Sequence, residues 1–156
     1  MKILDIRLLS GPNYWSIERP KIVQILLDLG DLEDKRTHTI PGFYQTLTSL
    51  IPSLETHLCR EGVPGGFLHR LKEGTSIAHV VEHVALELQS LAGSDASYGR
   101  TVETEKKGIY HVVFSYEEKR VAKYAAEAAV RIAEALAKGE TYWVESDIEN
   151  LKKIAE

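Results

Sequence analysis

Hydrophobic and polar residues alternate in three segments of the chain, and this period of two predicts three β-strands. In the first segment, Leu4, Ile6 and Leu8 fall on one face. The second strand is predicted over 21–29 and the third over 109–116. Because the first two strands follow each other directly, we expect them to pair antiparallel. The predicted buried faces are Val23, Ile25, Leu27 and Leu29 in the second strand and Tyr110, Val112, Phe114 and Tyr116 in the third.

Apolar residues at helical spacing predict helices between and after these strands. One begins at residues 40–43, and Pro52 must kink or divide it. A second helix is capped by Thr75 or Ser76 and runs to about Ala92, where Gly93 ends it.

A third helix begins at the capping box Ser115-x-x-Glu118 and reaches about Lys138. Ser146-x-x-Glu149 is predicted to cap a final polar helix, and residues 141–144 a short fourth strand. The glycine- and proline-containing segment 60–66 is predicted as a loop. The pattern therefore indicates an α+β fold, a small antiparallel sheet of about four strands with helices packed on it.

Length and composition narrow the class of protein. The 156 residues correspond to a single domain, 1–156, with residues 145–156 expected to start a linker helix. The net charge of −4 argues against nucleic-acid binding. Apolar runs are too short to span a membrane, and Asp5 interrupts the start, so neither a membrane nor a signal peptide is expected. Cys59 is the one cysteine of the chain, which favours a cytoplasmic, reducing location.

The second helix carries the candidate chemistry, because it contains the pattern H-x-x-E-H over residues 79–83. His79 and His83 are one helical turn apart, so both imidazoles can reach one metal ion. Glu82 lies beside them, where it can accept a proton from an attacking water, as in the inverted zinc-hydrolase pattern. The two histidines lie off the apolar face of the helix, so we do not expect them to be simple core histidines.

A catalytic zinc site takes three protein ligands, so a third ligand must come from elsewhere. Glu87 lies about 12 Å of helix rise from His79, too far to share an ion with both histidines. Cys59 is the first choice among residues on other elements. The spacing His57-x-Cys59 places a second candidate beside it, and acidic alternatives are Glu103, Glu118 and Glu127. Arg100 is a further candidate, for binding a substrate carboxylate.

Several blocks of the chain, from the first residue to about Val144, resemble the N-terminal domain of cyanophycin synthetases. The blocks are GPNYWS at 11–16, IPGFY at 40–44, GGF at 65–67, HVVEHVALELQSLAG at 79–93 and YGRT at 98–101. Cyanophycin synthetases make cyanophycin, a poly-aspartate backbone carrying arginine on its side-chain carboxylates. In the full-length enzymes, which are homo-oligomers, ATP-grasp and Mur-ligase-like domains follow this domain.

The resemblance implies that the domain binds and tethers cyanophycin and, in some members, is a Zn2+-dependent peptidase that cuts the polymer into primers. It implies zinc binding by His79 and His83, a general base at Glu82 and a substrate contact at Arg100. It does not identify the third ligand. Two hypotheses follow: a zinc metallopeptidase acting on the cyanophycin backbone, or a non-catalytic module that tethers the polymer.

Overall fold

Four antiparallel strands form one sheet in the computed structural model, which describes residues 1–16, 21–59 and 62–156. The order across the sheet is β1-β2-β4-β3. The strands are β1 (Lys2–Ser10), β2 (Lys21–Asp28), β3 (Gly99–Glu103) and β4 (Ile109–Ser115). The predicted antiparallel pairing of the first two strands is confirmed, and so are the buried positions of the second and third predicted strands.

Five helices complete the described part of the α+β fold, which agrees with the predicted class. Helix α3 packs against β3 and β4 on one side and against α4 on the other, so it lies in the middle of the domain. This position explains why α3 is buried around most of its circumference. The helices are α1 (Phe43–Leu50), α2 (Gly66–Glu73), α3 (Ile77–Leu91), α4 (Lys119–Ala137) and α5 (Glu145–Ala155).

The face predicted for the first strand is wrong at Leu4. The pairing with β2 shifts between Ile3 and Asp5, so Leu4 is the extra residue of a β-bulge. The bulge places Ile3, with Ile6 and Leu8, against the core, while Leu4 is exposed. A one-residue irregularity reverses the face of every residue beyond it, and simple alternation does not contain that information.

The predicted fourth strand is also wrong in place, although the number of strands is right. Residues 141–144 are irregular backbone, and Tyr142 and Val144 pack on the core from there. The strand that the pattern does not predict is β3, Gly99–Glu103, which pairs with β4 at the edge of the sheet. This strand is short and half-exposed, so its burial pattern carries little alternation.

Two of the predicted helix starts are corrected by the structure. Glu118 is itself the N-cap of α4, because its carboxylate accepts hydrogen bonds from the backbone N–H groups of Arg120 and Val121, whereas Ser115 belongs to β4. Helix α5 begins at Glu145 instead of being capped by Ser146. Residues 60 and 61 of the predicted loop lie outside the described residues, and Gly66 already starts α2, a helix that the pattern did not indicate.

The division of the first predicted helix at Pro52 is confirmed. Helix α1 ends at Leu50, and Pro52–Thr56 forms a 3₁₀-helix. Helix α5 packs on α4 through buried Leu151 and Asp147; its assignment as the start of a linker stays a prediction. Among the described residues, no helix is long and apolar enough to cross a lipid bilayer.

Candidate metal centre

The start of α3 holds the two motif histidines in register. Ser76 caps the helix by accepting a hydrogen bond from the backbone N–H of His79, at 3.2 Å. One turn later His83 follows, and the Nε2 atoms of His79 and His83 lie 3.1 Å apart. The Oγ1 atom of Thr75 lies 3.0 Å from Nδ1 of His79, so a hydroxyl orients the ring on its other side.

Cys59 joins these histidines from a distant part of the chain. The segment that follows the 3₁₀-helix brings its Sγ to 3.6 Å from Nε2 of His79. One ligand atom from each of Cys59, His79 and His83 lies within 4.8 Å of the other two. Gly66, at the start of α2, lets the two segments approach closely, since a Cβ there would lie 3.2 Å from the backbone N of Cys59.

The three side chains fit a tetrahedral metal ion such as zinc. Zinc bonds of about 2.0–2.3 Å to nitrogen and sulfur place neighbouring tetrahedral ligand atoms about 3.3–3.6 Å apart. The measured separations of 3.1 Å between the two Nε2 atoms and 3.6 Å between Sγ and Nε2 are close to those values. A thiolate with two imidazoles is also a donor set that zinc favours, and it leaves a fourth position for water or substrate.

His83 and Glu82 are both buried, which the apolar pattern of α3 alone does not predict. The ring of Phe67, on α2, stacks on the ring of His83 with centroids 3.9 Å apart. Burial lowers the pKa of His83 well below its usual value, and its electrostatic interactions with His79, His57 and Arg70 act in the same direction. The His83 ring is therefore neutral near pH 7, as a metal ligand must be.

Glu82 is held against the cluster by the edge strand. The hydroxyl of Thr101 donates to Oε1 of Glu82 at 2.7 Å, and Oε2 lies 3.3 Å from Nε2 of His83. Burial raises the pKa of Glu82 to about 7, although the hydrogen bond from Thr101 opposes the shift. A carboxyl with a pKa near neutrality can both take up and release a proton at the pH of a cell.

The strand β3 therefore supplies two residues that the sequence reasoning missed. Gly99 leaves the space that Glu82 occupies, because a Cβ there would lie 2.6 Å from Oε2 of Glu82. Gly99 and Thr101 are two residues apart on a strand and so share a face. This spacing of two is the sequence signal that indicates the pair. It was missed because Arg100, between them, is the residue for which the sequence suggests a function.

Gly99→Ala is expected to displace the Glu82 carboxylate while the fold persists. The added methyl would overlap Oε2, Cδ and Cγ of Glu82, all within 2.8 Å, so this side chain must move. Any activity that depends on Glu82 should fall at least 10-fold, and bound zinc should be retained. The measurement is turnover together with metal content; the control is Gly11→Ala, where an added Cβ meets nothing within 4 Å and φ is not positive, as at Gly99. Unchanged turnover in Gly99→Ala would contradict this role for the strand.

The other candidate residues occupy different places. His57 contacts the far side of His83, with their Nδ1 atoms 3.0 Å apart. Glu87 is not in the ligand cluster, but its Oε2 lies 2.6 Å from Nε2 of His57, so it reaches the site indirectly. Glu103 accepts a hydrogen bond from the backbone N–H of Gly108. Glu118 caps α4, and Glu127 is exposed on α4.

The three residues of the cluster line a cavity of about 990 Å³. Arg100 is exposed at its wall, and its contact with a substrate carboxylate stays a prediction. Charges of both signs line this cavity, contributed by Arg36, Arg70 and Arg100 and by Asp95 and Glu103.

The fold and the site together define an α+β domain whose central helix carries a candidate Cys-His metal centre beside a buried glutamate. The model of the cyanophycin synthase-like N-terminal domain matches residues 24–138, and the chain belongs to that family. Cyanophycin synthetases of Synechocystis sp. and Crocosphaera subtropica are each 48% identical over 99% of this chain, and that of Geminocystis herdmanii is 46% identical. The chain spans 18% of the length of these relatives.

Proposed function

We propose that this domain is a zinc-dependent peptidase that cleaves the poly-aspartate backbone of cyanophycin and so generates primers for polymer synthesis. The observation that carries the proposal is the meeting of Cys59, His79 and His83 within 4.8 Å, with the Glu82 carboxylate beside them. The relatives of this chain are named cyanophycin synthetases, which supports cyanophycin as the proposed substrate.

In the proposed mechanism, Cys59, His79 and His83 hold the zinc ion, which when bound lowers the pKa of a water and polarises the scissile carbonyl. Glu82 accepts the proton of the attacking water at Oε2 and then delivers it to the leaving amine. Thr101 holds Oε1, which leaves Oε2 directed at the cluster. Burial raises the pKa of Glu82 to about 7, so the side chain can both accept the proton from water and release it to the amine.

The charges of the cavity suit a polymer that has carboxylates and guanidinium groups. Arg100 is proposed to bind a substrate carboxylate, for which its planar guanidinium has the matching geometry. Asp95 and Glu103 line the same cavity and are proposed to attract the arginine groups of the polymer. In the cytoplasm, the fragments would be extended by the ATP-grasp and Mur-ligase-like domains of a homo-oligomeric synthetase.

The test is to incubate insoluble cyanophycin with the purified domain after its zinc content has been measured. We expect about one zinc ion per chain, release of soluble fragments, loss of release after chelation and recovery on adding zinc back. A domain without stoichiometric zinc that releases no fragments would contradict the proposal.

The alternative is a tethering module that binds the polymer without cutting it. The size of the cavity and its charges of both signs favour binding in either case. Sedimentation of the domain with insoluble cyanophycin, without release of fragments, would support this alternative.

A further inference from the structure

Behind His83 lies a chain of polar contacts that the proposed catalytic steps do not use. Nδ1 of His83 is 3.0 Å from Nδ1 of His57, and Nε2 of His57 is 2.6 Å from Oε2 of Glu87. The side chains of His57 and Glu87 are only 13% and 7% exposed. Since water cannot readily replace these contacts, each group depends on the next for its hydrogen bond.

The hydrogen-bonding capacities of the three groups determine the direction of the chain. A carboxylate can only accept, so Nε2 of His57 carries the proton that it donates to Glu87. In a neutral imidazole the other nitrogen is an acceptor, so Nδ1 of His57 accepts from Nδ1–H of His83. The remaining nitrogen of His83, Nε2, then keeps its lone pair, and it is this atom that faces His79 Nε2 at 3.1 Å.

We propose that Glu87 and His57 are positioning residues that hold His83 in its Nδ1-protonated tautomer, and so present Nε2 to a metal ion shared with Cys59 and His79. This inference rests on the metal dependence of the proposed function. The opposite direction of the chain would need a His57 ring protonated on both nitrogens and would place a proton on the ligand atom of His83 itself.

The helix provides a physical reason for this arrangement. Glu87 follows His83 by one turn, so both side chains lie on the same side of α3 and His57 can bridge them. Thr75 precedes His79 by one turn and contacts its Nδ1 in the same way. Outer partners of this kind set the tautomer and orientation of ligand histidines and raise their basicity as ligands.

The first experiment reads the tautomer directly in the metal-free domain. Two-bond nitrogen–proton couplings in ¹⁵N-labelled protein should assign the ring proton of His83 to Nδ1. In His57→Ala and Glu87→Ala, the resonances should shift towards a mixture of tautomers. A His83 ring protonated at Nε2 in the unsubstituted domain would overturn the inference.

The second experiment measures zinc affinity by competition with a chromophoric chelator. His57→Ala and Glu87→Ala should each weaken zinc binding about 10–100-fold, and the double variant by less than the product, because the two residues act as one chain. Glu87→Gln keeps an acceptor oxygen for His57 and should restore affinity to within a few-fold. The matched controls are His69→Ala and Glu73→Ala, an exposed histidine–glutamate pair on α2, which should bind zinc normally.

The outcomes separate this inference from the proposed function. Unchanged affinity in folded His57→Ala and Glu87→Ala domains overturns the positioning role, even where the unsubstituted domain cleaves polymer. If the Ala variants do not fold, the test rests on Glu87→Gln. A folded Glu87→Gln domain that no longer binds zinc also overturns the positioning role. An unsubstituted domain whose His83 is protonated at Nδ1 but which binds no zinc contradicts the proposed function and supports the tautomer assignment.

Discussion

Glu82→Gln is expected to slow the release of soluble fragments from cyanophycin by about 10²–10⁴-fold, the usual contribution of a general base. The amide cannot accept the proton of the attacking water, yet it has nearly the shape of the carboxylate. Its oxygen can still accept the hydrogen bond that Thr101 donates at 2.7 Å, so the side chain should stay in place. Zinc content and sedimentation with the polymer are therefore expected to remain close to those of the unsubstituted domain.

The matched control for this experiment is Glu127→Gln. Glu127 is an exposed glutamate on α4, so the same chemical change there should leave the release of fragments unchanged. Cleavage that persists in Glu82→Gln would refute the proposed role of this glutamate, whatever the metal content.

Cys59→Ala is expected to weaken zinc binding by more than the factor of about 10–100 that the loss of an outer partner costs. It removes one of three protein ligands and the softest donor of the set. Cleavage should fall with occupancy and recover in part at high zinc concentration. Affinity is measured by chelator competition, and a cobalt-substituted domain should lose the sulfur-to-metal absorption that a thiolate ligand produces.

The same variant is expected to fold. Val80, Val81, Val84 and Leu88 of α3 are fully buried, so this helix is stabilised by apolar packing rather than by a metal. Circular dichroism of Cys59→Ala and of the chelated domain should match that of the zinc-loaded domain. Retention of full zinc affinity in Cys59→Ala would contradict its assignment as a ligand; His69→Ala, on the exposed side of α2, is the control.

The elements that alternation and helical period predict best are those whose burial follows one regular face. Strand β2 and strand β4 are of this kind, because each lies inside the sheet with neighbours on both edges. Edge strands are different, since β1 contains a bulge and β3 is short and half-exposed. Their registers depend on pairing with other strands, so local patterns assigned Leu4 of β1 to the wrong face and missed β3.

The residues of the candidate site also differ in how well local sequence patterns predict their positions. The i, i+4 spacing of His79 and His83 is a property of any α-helix, so the motif alone predicts that their rings meet. The exclusion of Glu87 as a direct ligand follows from helix rise. The position of Cys59, by contrast, depends on the 3₁₀-helix at Pro52–Thr56 and on close packing at Gly66, which no local spacing describes.

By itself, then, the sequence determined the α+β class, the central helix and the pair of histidines, because these follow from short-range periodicity and helix geometry. Only the tertiary structure decided that His83 and Glu82 are buried, since Phe67 and the edge strand cover a face of α3 that its own composition marks as polar. It also decided that Thr101 binds Glu82 in the space that Gly99 leaves, and that Glu87 reaches the site through His57. These contacts join residues at least 16 positions apart in the sequence, and their free energies depend on packing that a single segment cannot encode.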